Sequence, residues 1–473
     1  METPSIPLPT DAREQQVLDK LVIIRDHLLL LKQDRRNYIR TQDIIPLYDQ
    51  VIEQVRALNE QRQNQDPRDE NRGKHITSFD RVLESCFQLL SLFFMTVGRN
   101  NEAPAAYALT STIRRLLDHL TEGDVYSAKD LDSISDEVEK LVDVVTSSAP
   151  HSSPYLMTLL SKRLEKCSSM LKILQSKLDR LAEPLMATHE KSISIFRSIS
   201  LFNTRTRFST SEVKKLQDKI KEVDATRVDG KFVNEAGEVL DGSDVVCEVL
   251  ERCLRWSDIV LERKGVIPEN FKPIYDTLVG VRNELEKVTL TKAWSLRETD
   301  LYDYQRKLDR VDESRVNGNW LDEYGRPAEL YVQRTFLYLL RRSYGYLYSL
   351  MLSSEPVSEA LLPTYNQLQT LKRCLVEVKA SGGVSSERDL YPYSMKLHSI
   401  ESMKTDGKFM VGDDIPEGQA SVTGLLAECF ELNYELRVDA LDQTKAENQK
   451  EKEEAEPKEP PKGNGDEQAV AAT

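Results

Sequence analysis

Apolar residues recur along this chain at helical spacing, and they do so in repeated segments. From Val249 onward the apolar positions follow a period of about 3.6 residues, at Leu250, Cys253, Leu254, Trp256 and Val260. Such a period places the apolar side chains on one face, which must be buried against neighbouring helices. The pattern predicts amphipathic helices along most of the chain.

One of these helices carries a four-residue signature, Leu-Glu-x-Cys. Intact copies lie at 83–86, 164–167 and 250–253, and degraded copies lie at 340–343 and 426–429. The copies are spaced by about 80 to 90 residues, a longer period than that of the common helical repeats. We therefore expect the cysteines of this signature to be buried at matching positions of matching helices, namely Cys86, Cys167, Cys253 and Cys429.

Two further kinds of helix follow each signature helix. The second kind begins near a proline that is soon followed by a tyrosine, as at 273–275 and 363–365, and proline suits the first turn of a helix. The third kind begins with acidic residues, as at 300–304 and 389–393, which favour the positive end of the helix dipole. One unit of the repeat is thus predicted to hold three helices.

A glycine turn closes several of these units. The pairs at 229–230, 317–318 and 406–407 read Asp-Gly or Asn-Gly, and an aromatic residue follows two positions later. These pairs predict a tight turn with φ > 0, or a short hairpin.

The predicted fold is therefore all-α: repeated three-helix units packed as elongated helical bundles, with short glycine turns or hairpins and disordered tails. The folded parts are expected to be an N-terminal bundle over residues 13–146 and C-terminal helical repeats over residues 155–440. Segments rich in polar residues, proline or charge are predicted to be irregular, and these are residues 1–12, 61–74, 147–154 and 441–473.

Composition narrows the function and the compartment. The formal net charge of −14 makes nucleic acid a poor partner, because an acidic chain repels a phosphate backbone. No signal peptide is seen, and the longest apolar run, Phe87–Val97, is too short to span a bilayer, so membrane insertion is not expected. Scattered cysteines indicate reduced core thiols, which favours the cytoplasm, with the nucleus as a second compartment.

Few residues form a pattern with known chemistry. Asp229, Asn234 and Asp241 invite a calcium interpretation, but the regular ligand spacing of a calcium loop is missing and a structural turn is preferred. The histidines lack zinc spacing, and neither a glycine-rich phosphate loop nor a nucleophile elbow is present. We therefore expect no metal, no cofactor and no catalytic residues.

The segment from Tyr331 to Tyr348 carries the most promising binding residues. It is rich in tyrosine and arginine, the residue types that contribute most at binding surfaces, and the candidates are Tyr338, Arg341, Arg342 and Tyr344. The alternative is a central helix packed on nearly all sides, which the many leucines in this segment favour.

A second candidate segment runs from Arg197 to Ser211. Ser200 and Ser209 follow arginines, and both are predicted to lie in an accessible connection where a kinase could modify them. The same mixture of basic and aromatic residues leaves open a weak contact with an anionic membrane surface.

Three segments resemble a fungal family of uncharacterised proteins with a duplicated domain of unknown function. They are residues 227–232, 249–256 and 334–342, and the resemblance extends over most of residues 13–440. It implies a soluble intracellular fungal protein, cytoplasmic or nuclear, without an established activity and without catalytic residues to carry over.

The leading functional hypothesis is a non-enzymatic intracellular scaffold or adaptor that binds protein partners through helix faces. It depends on the repeats, on the acidic charge and on the lack of a catalytic motif. The first alternative is a peripheral protein that binds anionic lipid such as a phosphoinositide. The second alternative, ranked lowest, is an enzyme whose site is assembled between bundles.

Overall fold

The computed structural model describes residues 12–63, 78–205 and 207–455, and these residues form fifteen α-helices with very little β-structure. The prediction of an all-α protein is confirmed. Of the segments predicted to be irregular, residues 1–11 and 64–74 lie outside the described residues.

The helices fall into the three kinds that the sequence pattern distinguishes. Six helices occupy the signature positions: α1 (Ala12–Gln33), α3 (Ser78–Thr96), α6 (Pro154–Leu178), α9 (Ser243–Arg263), α12 (Leu330–Leu352) and α15 (Gln419–Ala455). Five are of the second kind: α2 (Thr41–Gln63), α4 (Ala106–Gly123), α7 (Glu183–Asn203), α10 (Lys272–Ser295) and α13 (Leu362–Ala380). Four are of the third kind: α5 (Ala128–Ser148), α8 (Thr210–Asp224), α11 (Leu301–Glu313) and α14 (Tyr391–Glu401).

Short 3₁₀ turns precede or follow several of these helices, at Ala103–Ala105, Ala149–His151, Glu269–Phe271, Glu298–Asp300 and Glu387–Leu390. The strands β1 (Lys404–Thr405) and β2 (Lys408–Phe409) form an antiparallel hairpin. None of the helices in the described parts of the chain is both long and apolar enough to cross a membrane. The apolar run Phe87–Val97 instead lies in and just after α3, where its side chains are buried.

The signature cysteines are buried, as predicted. Cys86, Cys167, Cys253 and Cys429 each have 0% of their surface exposed, and Ser343 takes the same buried place in α12. Three of the thiols lie within hydrogen-bond distance of a carbonyl oxygen on a neighbouring helix: Cys86 with Leu21 at 3.7 Å, Cys253 with Ser192 at 3.5 Å and Cys429 with Leu368 at 3.5 Å. The repeated signature therefore encodes a repeated packing position.

These thiols should react slowly in the native protein. Burial raises the pKa of Cys86 and Cys253 to about 12, and that of Cys167 and Cys429 to about 11, so little thiolate forms near neutral pH. We expect slow labelling of all four by an alkylating reagent, measured by mass spectrometry, while the exposed Cys374 is labelled quickly as an internal control. Fast native labelling of any of the four would contradict the packing described here.

The glycine turns adopt the predicted geometry. Asp229 and Gly230 have φ of 50° and 75°, Asn317 and Gly318 have 49° and 79°, and Asp406 and Gly407 have 51° and 77°. Antiparallel bridges close these turns: Val228 with Lys231, Val316 with Asn319, and β1 with β2. Two successive residues with positive φ are the requirement of a type I′ hairpin, which explains the choice of Asp-Gly and Asn-Gly.

Replacing Gly318 with valine should destabilise its turn through backbone strain alone. A Cβ atom at this position would meet no other atom within 4 Å, so steric overlap with neighbours does not contribute. We expect the free energy of unfolding to fall by about 1 kcal/mol or more, because a β-branched residue is strained at positive φ. Urea denaturation measures the change, and unaltered stability would rule out this turn geometry.

The predicted division of the chain near residue 150 is wrong. One unit holds the described residues up to Ala360 together with Pro416–Gly418, and the other holds Leu361–Ile415 and the described residues from Gln419 onward. The reason is that α6 packs against both α4 and α5, so the Ser- and Pro-rich segment before α6 is a short turn within one unit.

The predicted start of the disordered C-terminal tail is also wrong. The helix α15 continues through residues 441–455, which are rich in alanine, glutamate, glutamine and lysine. These residue types have high helix propensity, so the charge that suggested disorder is compatible with an extended helix. Residues 456–473 lie outside the described residues.

Candidate functional site

The candidate binding residues of α12 do not share one surface. Tyr344 is only 1% exposed, and its hydroxyl donates a hydrogen bond of 2.7 Å to Oδ1 of Asp309 on α11. Its inclusion in a partner surface is therefore wrong, because the ring is part of the core. Tyr338, Arg341 and Arg342 instead line a cavity on another side of the helix.

This cavity, which we call the arginine pocket, has a volume of about 510 Å³ and lies between α4, α5, α7, α10 and α12. Its size falls within the usual range of small-molecule sites. Five cationic side chains and one carboxylate line it, a net charge of +4 in a chain whose net charge is −14. The cationic side chains are Lys129, Arg197, Arg334, Arg341 and Arg342, and the carboxylate is that of Asp130.

Two of these arginines are bound only by neutral oxygens. Arg341 donates a hydrogen bond of 2.6 Å to the carbonyl of Val125, and Arg334 donates one of 3.2 Å to the carbonyl of Gly123. Gly123 is the last residue of α4, Val125 lies in the stretch that joins α4 to α5, and both arginines are partly buried. Within the described residues, neither arginine forms an ion pair.

The surroundings of these two arginines disfavour their positive charges. Burial, together with the nearby charge of Arg197, lowers the pKa of Arg341 to about 10. Burial also lowers the pKa of Arg334, and the charge of Arg252 adds to that effect. A lowered pKa in a base means that its surroundings oppose the positive charge. An anion in the pocket would relieve this opposition.

Asp130, the carboxylate of the pocket, already has two partners within the protein. It accepts a hydrogen bond of 2.8 Å from the backbone N–H of Ser127, the residue that caps the start of α5, and it forms an ion pair with Arg197. Burial raises the pKa of Asp130, but Arg197 and the hydrogen bond from Ser127 outweigh it, and the net pKa is lowered. Asp130 therefore stays ionised and pairs with Arg197, and its charge also acts on Arg341. Within the described residues, none of the other four cations forms an ion pair with a carboxylate.

Aromatic side chains form much of the remaining wall. The guanidinium of Arg342 lies 4.6 Å from the ring centroid of Tyr346 and donates a hydrogen bond of 2.9 Å to its hydroxyl. Tyr348 donates a hydrogen bond of 3.1 Å to the carbonyl of Ser133. The hydroxyl of Tyr338 has no hydrogen-bond partner among the described residues.

His119 reaches the same pocket from α4. It is fully buried, its Nε2 lies 3.2 Å from Asp312, and its Nδ1 has no hydrogen-bond partner in the described part of the chain. Burial raises the pKa of Asp312, but the hydrogen bond and charge of His119 and the charge of Arg115 outweigh it and hold this pKa at about 2. An unpaired buried nitrogen is a group that a ligand can complete.

A second cavity, of about 500 Å³, lies between α3, α4, α6 and α11. Its wall includes Asp309, whose pKa is raised by burial although Arg115 acts in the opposite direction. Acidic and basic side chains both line this cavity, and Arg115 forms ion pairs with the carboxylates of α11. The balance of charge here indicates a structural network.

The two candidate phosphorylation sites have different environments. Ser200 is buried within α7 and not in a connection: it accepts a hydrogen bond of 3.0 Å from the indole of Trp256, so its predicted accessibility is wrong. Ser209 is partly exposed and caps α8, since its hydroxyl accepts from the backbone N–H of Glu212 at 3.5 Å. Phosphorylation of Ser209 stays a prediction.

Among the residues that the structure describes, no group of three or more His, Cys, Asp or Glu is placed to hold a metal ion. In the loop that contains Asp229, Asn234 and Asp241, where a structural turn was preferred to a calcium site, Oδ1 of Asn234 accepts hydrogen bonds from the backbone N–H groups of Ala236 and Glu238, at 3.0 and 2.9 Å. This amide oxygen therefore stabilises the turn by accepting hydrogen bonds from its backbone.

Sequence reasoning found only part of the arginine pocket. The repeated signature Leu-Glu-x-Cys reads Leu340-Arg341-Arg342-Ser343 in α12, so Arg341 replaces the glutamate and Arg342 occupies the variable position. This departure is visible in the sequence. In the intact copies this Glu position is Glu84, Glu165 and Glu251. Arg334 precedes Arg341 by seven residues, or two helical turns, and this spacing was the available signal for its place on the same face.

Comparisons with known proteins agree with the resemblance described above. A family model described as "Protein of unknown function (DUF2408)" matches twice, at residues 178–298 and 354–457, so the expected duplication is confirmed. A "CUB1 family protein" of Schizosaccharomyces pombe is 37% identical over 92% of this chain and 94% of its own length. The "Cu(2+) suppressing and bleomycin sensitive protein 1" of Saccharomyces cerevisiae is 34% identical over 92% of this chain and 91% of its own length.

No solved structure matches this chain. The two fungal relatives share more than a third of their residues with it, and the similarity extends over nearly their whole length. The chain therefore belongs to the fungal CUB1 family, whose matching domain has no known function.

Proposed function

We propose that this protein is a non-enzymatic scaffold and that the arginine pocket is the site at which it recognises an anionic group. The observation that carries the proposal is the pairing of Arg341 and Arg334 with backbone carbonyls alone. Partly buried charges without an ion-pair partner lower stability, so their presence is better explained by a ligand than by folding. The expected compartment remains the cytoplasm, with the nucleus as a second one.

The character of the lining supports binding rather than catalysis. The cationic and aromatic side chains suit recognition of an anion, whereas Asp130, the carboxylate able to act as a general base, is held by Ser127 and Arg197. The name of the Saccharomyces relative refers to Cu²⁺, but we propose no copper site because the described residues hold no suitable cluster of ligands.

The alternative of an anionic membrane surface has weaker support in the segment that suggested it. Arg205 lies over the ring of Phe202 and reaches Glu212 at 4.0 Å, so part of its charge is compensated within the protein. The arginine pocket concentrates more positive charge than this connection. A lipid head group would therefore be recognised in the pocket.

Calorimetric titration with small ring compounds that carry six acidic groups tests the proposal. We expect one binding site per chain, because an enclosed cluster of cations favours a compact polyanion, and we expect binding to weaken as salt is added. The double variant Arg334→Gln, Arg341→Gln should lose this binding. Arg310→Gln, which removes an exposed arginine of α11 outside the pocket, is the matched control. If neither a hexacarboxylate nor a hexaphosphate binds to the protein, the proposal fails.

A further inference from the structure

We propose that the arginine pocket binds a small polyol that carries several phosphate groups, either free, as an inositol polyphosphate, or as a phosphoinositide head group. This inference rests on the proposed function and adds the chemical class of the ligand. It follows from the amount of charge in the pocket, the spacing of that charge, the kind of cation and the hydroxyl groups around it.

The amount of charge calls for several negative groups. The lining has a net charge of +4, and its carboxylate already compensates Arg197. One carboxylate carries a single negative charge, and one phosphate monoester carries at most two. A ligand with a single acidic group would leave part of the pocket uncompensated.

The spacing of the charges calls for groups that are held apart. Arg334 and Arg341 are seven residues apart on α12, which separates their backbone positions by about 10 Å along the helix axis. Arg197 comes from α7 and Lys129 from the first turn of α5, so other walls also contribute cations. A single phosphate cannot contact all these side chains, whereas phosphates distributed around a ring can.

The kind of cation favours phosphate. Four of the five cationic groups are guanidinium groups, which donate two parallel hydrogen bonds to phosphate oxygens and keep their charge under all ordinary conditions. Arg341 and Arg334 each use one N–H group on a backbone carbonyl, so further donors of each remain for a ligand.

The rest of the wall suits a polyol. The hydroxyl of Tyr338 is without a partner in the described residues, and those of Tyr346 and Tyr348 lie at the same lining. The hydroxyls of Tyr338 and Tyr346 can donate to a ring hydroxyl or to a phosphate oxygen, whereas that of Tyr348, which already donates to a backbone carbonyl, can accept from a ring hydroxyl. Phe196 and Leu337 supply apolar surface, which excludes water and strengthens the charge–charge attraction.

A long polyanion fits less well. The pocket is a recess in a chain of net charge −14, so a nucleic acid that extends beyond the recess would be repelled by the overall charge of the protein. A compact ligand places its charges on the pocket alone. We therefore infer a small molecule or a head group, not a nucleic acid strand.

Two ring compounds with six acidic groups each provide the test. Titration of the full chain with inositol hexakisphosphate is expected to show binding at least about tenfold tighter than titration with benzenehexacarboxylate, because phosphates carry more charge and accept bidentate guanidinium bonds. Arg334→Gln and Arg341→Gln should each weaken the hexaphosphate complex by about tenfold or more, while Arg310→Gln should leave it unchanged.

A variant at the rim of the pocket keeps the test valid if Arg334→Gln or Arg341→Gln does not fold. Arg342 is exposed and donates a hydrogen bond to Tyr346, one helical turn away, so Arg342→Gln removes a pocket charge without opening the core. It should also weaken the hexaphosphate complex. Circular dichroism and the unfolding midpoint without ligand establish that each variant is folded before its affinity is compared.

Vesicles distinguish the two sources of the polyol. Sedimentation with phosphatidylcholine vesicles that contain phosphatidylinositol bisphosphate, and release by soluble inositol hexakisphosphate, would assign the pocket to a lipid head group. Binding of the soluble compound without sedimentation would assign it to a free ligand. Equal affinity for the hexacarboxylate would overturn the inference and leave the proposed function intact. Absence of binding by both ring compounds would overturn both.

Discussion

Replacing Arg297 with methionine is expected to lower the free energy of unfolding by about 3 to 5 kcal/mol, the usual result of removing one partner of a buried ion pair. Arg297 is 8% exposed and binds Glu359 with two groups: Nε lies 2.5 Å from Oε2, and Nη2 lies 2.9 Å from Oε1. The variant would leave the largely buried carboxylate of Glu359 without its counter-charge.

The same guanidinium also holds the connection between α1 and α2. Nη1 donates a hydrogen bond of 2.7 Å to the carbonyl of Asp34, and Nη2 donates one of 3.2 Å to the carbonyl of Asn37. Glu359 in turn accepts from the backbone N–H of Ile39. Three stretches that are distant in sequence therefore depend on one side chain, and its loss removes the partners of two backbone carbonyls as well.

Urea denaturation measures the effect of Arg297→Met, with Lys372→Met as the matched control. Lys372 forms an exposed ion pair with Glu428, at 2.5 Å, and exposed pairs contribute less than about 1 kcal/mol. Combining Arg297→Met with Glu359→Met should restore part of the lost stability, because no unpaired charge is then buried. A loss no larger than that of the Lys372 control would show that the ion pair is not buried in solution.

Replacing Gly98 with alanine should lower the free energy of unfolding by about 3 kcal/mol or more, through backbone strain and steric overlap together. Gly98 follows α3 and has φ of 85°, a conformation that is unfavourable for alanine. A Cβ atom there would lie 2.7 Å from the backbone nitrogen of Ser358 and 2.8 Å from the carbonyl carbon of Val357. Neither atom can move without moving the backbone.

Gly230→Ala separates the two contributions. Gly230 has φ of 75°, but a Cβ atom there would meet nothing within 4 Å, so this variant adds strain without overlap. We expect a loss of about 1 kcal/mol for Gly230→Ala. Equal losses for the two variants, measured by urea denaturation, would mean that the backbone near Ser358 does not approach Gly98 as closely as described.

Local patterns in the sequence were sufficient to predict the helices, the buried cysteines and the glycine turns. Each of these features depends on residues within one helix or one turn: the period of about 3.6 residues sets a buried face, and Asn317-Gly318 requires only its own backbone geometry. The helical continuation to Ala455 was not predicted, because the high charge of residues 441–455 indicates disorder while their helix propensity favours a helix.

The arginine pocket could be predicted only in part because its cations come from separate helices. Arg341 and Arg342 are adjacent in sequence, but Arg197 and Lys129 lie on α7 and α5, and nothing in a single sequence joins them to α12. Tyr344 was assigned to the same surface because residue type alone does not reveal which side of a helix faces the core. Its hydroxyl proved to have a buried partner, Asp309.

The place of Arg341 within the signature has an evolutionary consequence. The corresponding Glu165 and Glu251 are exposed to solvent, so the packing of those copies does not depend on them. A duplicated helix can therefore change this position, even from acid to base, while its buried leucines and its small buried residue still maintain the fold. Duplication in such a protein supplies several copies of one helical unit. Selection for a new ligand can then act on a single copy while the other copies are unchanged. In repeat proteins of this kind, a copy that differs from the others at a solvent-facing position is the place to search for a ligand-binding function.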